Sequence, residues 1–209
     1  MPRITGRNRK TELLEAACDL IFVEGASRFT IRRLAERVEL TEAAVYRHFS
    51  GKEELLLSLL ETKFAGWKER IQEILASPAE VKERVRNLAL FHLEYLLQAR
   101  FNPILLLSDA ADPDQKNLRK SLFEIASALF KAIHHLIHEG QKSGELDKTL
   151  DAEGIAVAFQ GAIQNTVLQW TLTPQIKGLE SRLRKTIDLL LQVFESKTVP
   201  SPSSRRHRP

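Results

Sequence analysis

Thr30-Ile-Arg-Arg-Leu-Ala-Glu-Arg-Val-Glu-Leu-Thr-Glu-Ala-Ala-Val-Tyr-Arg-His-Phe-Ser-Gly-Lys-Glu-Glu-Leu55 decides the fold. The stretch reads as two very short helices around a tight turn, followed at once by a longer third. Thr30 is a good N-cap for the first, and Ile31, Leu34, Ala35 and Val38 hold the i, i+3, i+4, i+7 positions of one buried stripe. Thr41 caps the second, whose inner face carries Val45 and Phe49, with Leu40 at the turn. Ser50 is expected to cap the third, with Glu53 completing a capping box three residues later. Helices of about two turns do not stand alone in water, so neighbours must hold them. The second helix spends its outer face on Glu42, Ala43, Tyr46 and Arg47. Small residues near its start permit close approach to another surface, and Tyr46, Arg47, His48 and Lys52 surround it with hydrogen-bond donors. This is the layout of a helix-turn-helix with its recognition helix at 41–48.

Upstream, a helix from about Lys10 to Glu24 buries Leu13, Leu14, Ala17, Leu20 and Ile21 and stops at Gly25. Residues 1–9 lack apolar periodicity and acids, and read as a basic arm. Downstream, one continuous helix is expected from about 51 to 76, as the mechanical link between an N-terminal domain (10–55) and a larger helical domain (56–196). Further helices are expected over 79–99, 103–108, 112–140, 152–170 and 179–196, with Pro78, Pro103, Pro113 and Pro174 at the restarts. Residues 197–209 hold Pro, Ser and Arg without an apolar run and read as a disordered tail. The fold class is therefore all-α, about nine helices, with a three-helix helix-turn-helix domain joined to a larger helical one.

Composition agrees. In 209 residues, 9 Gly, 8 Pro and few β-branched runs favour helices throughout. The single Cys excludes an intrachain disulfide, and Cys18 lies on an apolar face where a packed thiol is expected. No apolar run reaches about 18 residues and no signal peptide is visible, so a cytoplasmic protein with no membrane partner is expected. Residues 1–52 carry 10 Lys and Arg against 7 acids, residues 53–195 carry 17 against 20, and residues 196–209 carry 4 against none. The positive excess sits at the two ends, which suits phosphate attraction by the N-terminal part.

Leu14, Ala16–Ala17, Leu20-Ile-Phe22, Gly25, Thr30, Leu34–Ala35, Thr41, Tyr46, His48–Phe49, Lys52 and Leu55 together resemble the DNA-binding domain of the TetR-type transcriptional regulators. One departure is Glu39, where the family usually has Gly. A left-handed backbone there costs a non-Gly residue about 1 kcal/mol, so a locally adjusted turn is expected. The resemblance implies backbone contacts to double-stranded DNA from Thr30, Tyr46, Arg47, His48 and Lys52, and groove contacts from Thr41, Glu42 and Ala43. Hydroxyl, guanidinium, imidazole and ammonium groups are phosphate donors, whereas Glu42 is suited to a cytosine amino group. It also implies a homodimer on a palindromic operator, with recognition helices about 34–36 Å apart or slightly more.

Other constellations give narrower expectations. His134 and His138 are i, i+4 neighbours beside His135, a spacing that can hold a divalent metal, with His92 as a third ligand. Packed or solvated histidines satisfy the same spacing, and neither metal nor cofactor is expected. No phosphate loop, nucleophile elbow or carboxylate pair is present, so no enzyme is expected. Gly154 and Gly161, with Ile187 and Leu191 on the last helix, are assigned to dimerisation. Gln164 and Asn165 lie among apolar residues. With Phe91, Tyr95, Phe123 and Trp170 as walls, they are expected to hold a small hydrophobic effector that releases the protein from DNA. The alternative is a protein partner, since Thr41–Phe49 also resembles the nucleoid-occlusion factors within this family.

Overall fold

The computed structural model describes residues 6–195. Over them the chain forms α1 (Gly6–Glu24), α2 (Ile31–Arg37), α3 (Glu42–Tyr46), α4 (Lys52–Lys63), α5 (Trp67–Ala76), α6 (Val81–Ala99), α8 (Lys116–Ser143), α9 (Ala152–Leu172) and α10 (Leu179–Phe194). A 3-10 turn, Pro103–Leu106, leads into the single-turn α7 (Leu107–Ala110). The architecture is all-α, as the periodicity predicts. Helix α1 starts at Gly6, four residues before its expected start. The rest of the basic arm and the tail from 196 lie outside the described residues.

The opening stretch folds around its caps. Thr30 Oγ1 accepts from the Arg33 amide and Thr41 Oγ1 from the Ala44 amide, both at 3.2 Å. Between the two helices, the Glu39 amide donates to Glu36 O at 3.3 Å and the Leu40 amide to Ala35 O at 2.9 Å. These paired bonds form a Schellman stop, which needs a left-handed residue. Glu39 supplies it at φ 56°. The turn is not adjusted to spare this residue; the side chain accepts the conformation that glycine would take freely.

Two expectations about the third helix fail. The cap of α4 is Gly51, and the Ser50 amide donates to Glu54 Oε2 at 2.7 Å, which leaves Glu53 free to reach elsewhere. The expected 51–76 helix is also broken. Phe64, Ala65 and Gly66 separate α4 from α5, with Gly66 left-handed at φ 78°. Tyr95 of α6 donates its hydroxyl to Ala65 O at 2.6 Å, which satisfies a carbonyl freed by the break. Phe64 packs at the corner, with ring centroids 5.4 Å from Trp67 and 6.0 Å from Tyr95.

Two apolar clusters fill the molecule. One joins α5, α6 and α8–α10 around Trp67, Leu93, Leu136, Phe159 and Leu183, all fully enclosed. The other gathers α1–α4 around Leu13, Ile21, Leu34, Val45 and Leu56, and continues into Phe101, Leu106, Ala110, Leu118 and Leu122. The helix-turn-helix thus shares a core with the start of α8 and the 101–110 segment instead of hanging from one helix. Replacing Glu39 by Gly relieves the left-handed strain and is expected to raise stability by up to about 1 kcal/mol. Urea unfolding of the two proteins measures it, and an unchanged or lower midpoint would show that Glu39 bears no such cost.

Candidate nucleic-acid interface and inner cavity

The short second helix of the pair presents one solvated face. Thr41, Glu42, Ala43, Tyr46 and Arg47 are exposed and His48 is half-buried, while Ala44, Val45 and Phe49 anchor the other side. Thr30 is exposed at the start of α2. Thr30 and the residues of this face are thus all open to solvent at least in part. Lys52 stands differently. Its ammonium is paired with Asp109 of α7, whose side chain is only 12 % exposed, and lies 5.7 Å from the Phe29 ring centroid.

Beside Lys52, Glu53 crosses the same boundary. Its Oε1 accepts from the amides of Asn117 at 3.1 Å and Leu118 at 3.3 Å. Helix α8 has no cap of its own, because the Gln115 side chain makes no capping bond. A carboxylate from α4 therefore satisfies two amides at the positive end of a 28-residue helix. A further contact joins the two parts, as Phe22 of α1 meets Trp170 of α9 at 5.5 Å, while Lys63 Nζ of α4 pairs with Glu15 of α1 at 2.9 Å within the first.

Behind α7 lies a cavity of about 270 Å³ between α6, α8, α9 and the 102–107 segment. Its walls are mostly aliphatic (Leu96, Ile104, Leu107, Leu122, Ile125, Leu129), with His92, Asn102, Gln160 and Gln164 as the hydrogen-bonding side chains. Asn102 is engaged at both ends: Nδ2 donates to Thr171 Oγ1 at 2.7 Å, and Oδ1 accepts from the Ile104 amide at 3.1 Å. Gln160 donates to Ala126 O at 3.3 Å. His92 is 4 % exposed, its Nδ1 has no partner, and its ring meets Trp67 edge-on at 5.7 Å. Burial holds the imidazole neutral by lowering its pKa to about 4.

Residues 13–59 match the family model described as bacterial regulatory proteins, tetR family, and residues 60–193 match that of the YsiA-like protein C-terminal region. The chain belongs to the TetR family. It is a DNA-binding transcriptional regulator and not an enzyme. It is 24% identical over 191 residues to the fatty acid metabolism regulator protein of Bacillus subtilis, spanning 91% of this chain and 98% of that one. It is 32% identical over 167 residues to the nucleoid occlusion factor SlmA of Marinobacter nauticus, covering 77% and 84%. The fold superposes on the FadR regulator of Bacillus subtilis, solved in complex with stearoyl-CoA, with a TM-score of 0.68 at 23% identity, covering 87% and 97%.

In this TetR-family chain the sequence expectations for the cavity need correction. Of the six residues assigned to the effector, only Gln164 lines the cavity. Tyr95 is committed to the α4–α5 corner and packs on Phe91 at 5.5 Å, Trp170 is buried against Phe22, and Phe123 and Asn165 are exposed. His92, expected as a packed histidine or a third metal ligand, is packed in the apolar stripe Leu88, Ala89, Leu93 and Leu96 and lines the cavity, a place that the sequence reading did not give it. His134 and His138 rings stand edge-on at 4.7 Å, whereas His135 turns towards Glu139 and His92 lies at Trp67, so the four do not converge. Cys18 is buried, which pushes its thiol up.

The dimer residues also need correction. Ile187 and Leu191 are buried in the core of the protomer itself and cannot face a partner. The exposed apolar side chains of α9 and α10 are Val157, Leu168, Leu172, Leu189 and Val193. Gly154 and Gly161 share the α9 face of Val157, Leu168 and Leu172, and a Cβ at Gly161 would meet nothing within 4 Å.

The buried imidazole predicts a pH effect. His92 binds its proton at about 4 when folded and near 6.5 when unfolded. Unfolding therefore takes up a proton between those values, so stability is complete above about pH 6.5 and falls as the pH drops, by up to about 3 kcal/mol near pH 4. Denaturation of wild type and His92→Leu at pH 7 and pH 5 tests this. An equal loss in both proteins would assign it to other groups.

Proposed function

We propose that this regulator is a homodimeric repressor, released from a palindromic operator when a small apolar effector fills the inner cavity. One observation carries the reading. The segment that lines the cavity through Pro103, Ile104 and Leu107 continues into Asp109, which pairs with Lys52 at the edge of the recognition surface. Helix α8 likewise lines the cavity through Leu122 and Ile125 and takes its cap from Glu53. A molecule that spreads these walls displaces both anchors of α4 and reorients the recognition helix. Ligands shift such an equilibrium only as far as they prefer one state, and the cavity supplies that preference. Bacillus subtilis FadR, bound to stearoyl-CoA, supports an effector of apolar character. A protein partner acting on the DNA-bound dimer, as the likeness to SlmA invites, lacks a comparable surface observation.

On DNA, Thr30, Tyr46, Arg47 and His48 bind phosphates, while Thr41, Glu42 and Ala43 meet the groove. Lys52 serves both parts: Asp109 holds its ammonium at the edge of the recognition surface, where a DNA phosphate can approach it. Asp109→Asn is then expected to loosen this anchor and weaken operator binding several-fold, and Lys52→Ala to weaken binding to all sequences and lower the salt slope by about 1. Fluorescence anisotropy over a salt series reads both. Tighter binding in Asp109→Asn would mean that the pair withholds Lys52 from DNA instead of positioning it.

The dimer forms on α9 and α10 through Val157, Leu168, Leu172, Leu189 and Val193, with Gly154 and Gly161 allowing the helices to approach closely. Because space is open at Gly161, Gly161→Trp is expected to leave the protomer folded while it splits the dimer and costs operator affinity. Sedimentation velocity with circular dichroism checks it. A variant that stays dimeric removes this face from the interface.

A further inference from the structure

Within the effector reading, the cavity itself narrows the chemistry of what it holds. No Lys, Arg, Asp or Glu side chain lines it. Both polar ends of Asn102 are engaged, and the Gln160 amide nitrogen is held by Ala126 O. What remains for a guest is the His92 imidazole, which lines the cavity and makes no hydrogen bond to another described residue, together with the Gln164 amide and the carbonyl oxygen of Gln160. All three are neutral. A polar ring that lines an apolar site without a partner is where a guest is expected to complete the bond. An ionised group in the same place would lose its hydration and find no counter-charge. The volume of about 270 Å³ lies just under the usual range for drug-sized sites, so it suits a small molecule or the end of a longer chain.

We infer that the cavity binds an uncharged apolar molecule, or the uncharged end of one, whose single hydroxyl, carbonyl or amide bonds to His92, and that it rejects the carboxylate of the same chain. The inference rests on the effector reading above, yet binding and DNA release are separate measurements. The neutral imidazole can accept from a hydroxyl or donate to a carbonyl, depending on its tautomer, and Gln164 supports either. Burial of His92 keeps it from becoming the cation that a carboxylate would need.

Calorimetric titration of the full-length protein at pH 7.5 with 1-octanol, octanamide and octanoate tests this. Octanol and octanamide are expected to bind, and octanoate at least about 10-fold more weakly, since its charge is buried unpaired. His92→Phe is expected to weaken octanol and octanamide about 10-fold through the lost bond, and His92→Gln to recover part of the loss. Gln164→Lys, at a half-buried wall position, supplies the missing counter-charge and is expected to shift the preference towards octanoate. Octanoate binding as tightly as octanol, or no binding by any of the three, overturns the inference. Binding in the expected order without release of operator DNA leaves the inference standing and sinks the effector reading instead.

Discussion

The rest of the structure depends on a carboxylate that one helix lends to another. Helix α8 is the longest in the protein and contributes to both apolar clusters, yet its own sequence offers no cap at its N-terminus. Glu53, from the first turn of α4, accepts from two of its amides. Because the acceptor is charged, each bond is stronger than a neutral one, and the helix dipole adds to it. The neighbouring residue, Lys52, pairs with Asp109 a few residues upstream of α8. Two adjacent side chains thus fix the recognition head to the body by opposite charges. Neither part can tilt without breaking bonds whose partners are then left in a poorly solvated place.

Much of this was legible in the residues. Thr30 and Thr41 cap the helices they were expected to cap, and the apolar spacings of α1 and α2 mark their buried faces. The exposed surface at 41–47 follows from the same periodicity. What could not be read is what depends on distance in space. Glu53 sits where a local capping box would place it, and only the fold reveals that α8 is nearer in need. The 51–76 run keeps a helical apolar period across Ala65 and Gly66, so periodicity alone hides the corner that Gly66 and Tyr95 stabilise.

The cavity shows the same limit more sharply. Large aromatic residues drew attention as walls, but Tyr95, Phe91 and Trp170 are spent on packing helices together, and Phe123 faces solvent. The actual walls are aliphatic residues from three helices and a turn, with spacings that look like ordinary core. On α10, Ile187 and Leu191 lie on the inward stripe, whereas Leu189 and Val193 stand off it in solvent. Distinguishing a core stripe from an interface requires knowing which side of the helix is already covered.

The brevity of α3 has a consequence for how DNA is met. Five residues long and held by Ala44 and Val45, it has almost no helical stability of its own. Segments of this kind open locally at a small fraction of the global free energy, and their amides exchange with solvent early. The shape of the recognition surface therefore depends on the packing of Ala44, Val45 and Phe49 beneath it, and any entropy lost in ordering it on DNA is subtracted from what the contacts provide. Any substitution that stiffens the Schellman turn before it, or the Val45 anchor beneath it, adjusts operator affinity without touching a single base. A regulator built this way can be tuned from behind its reading surface.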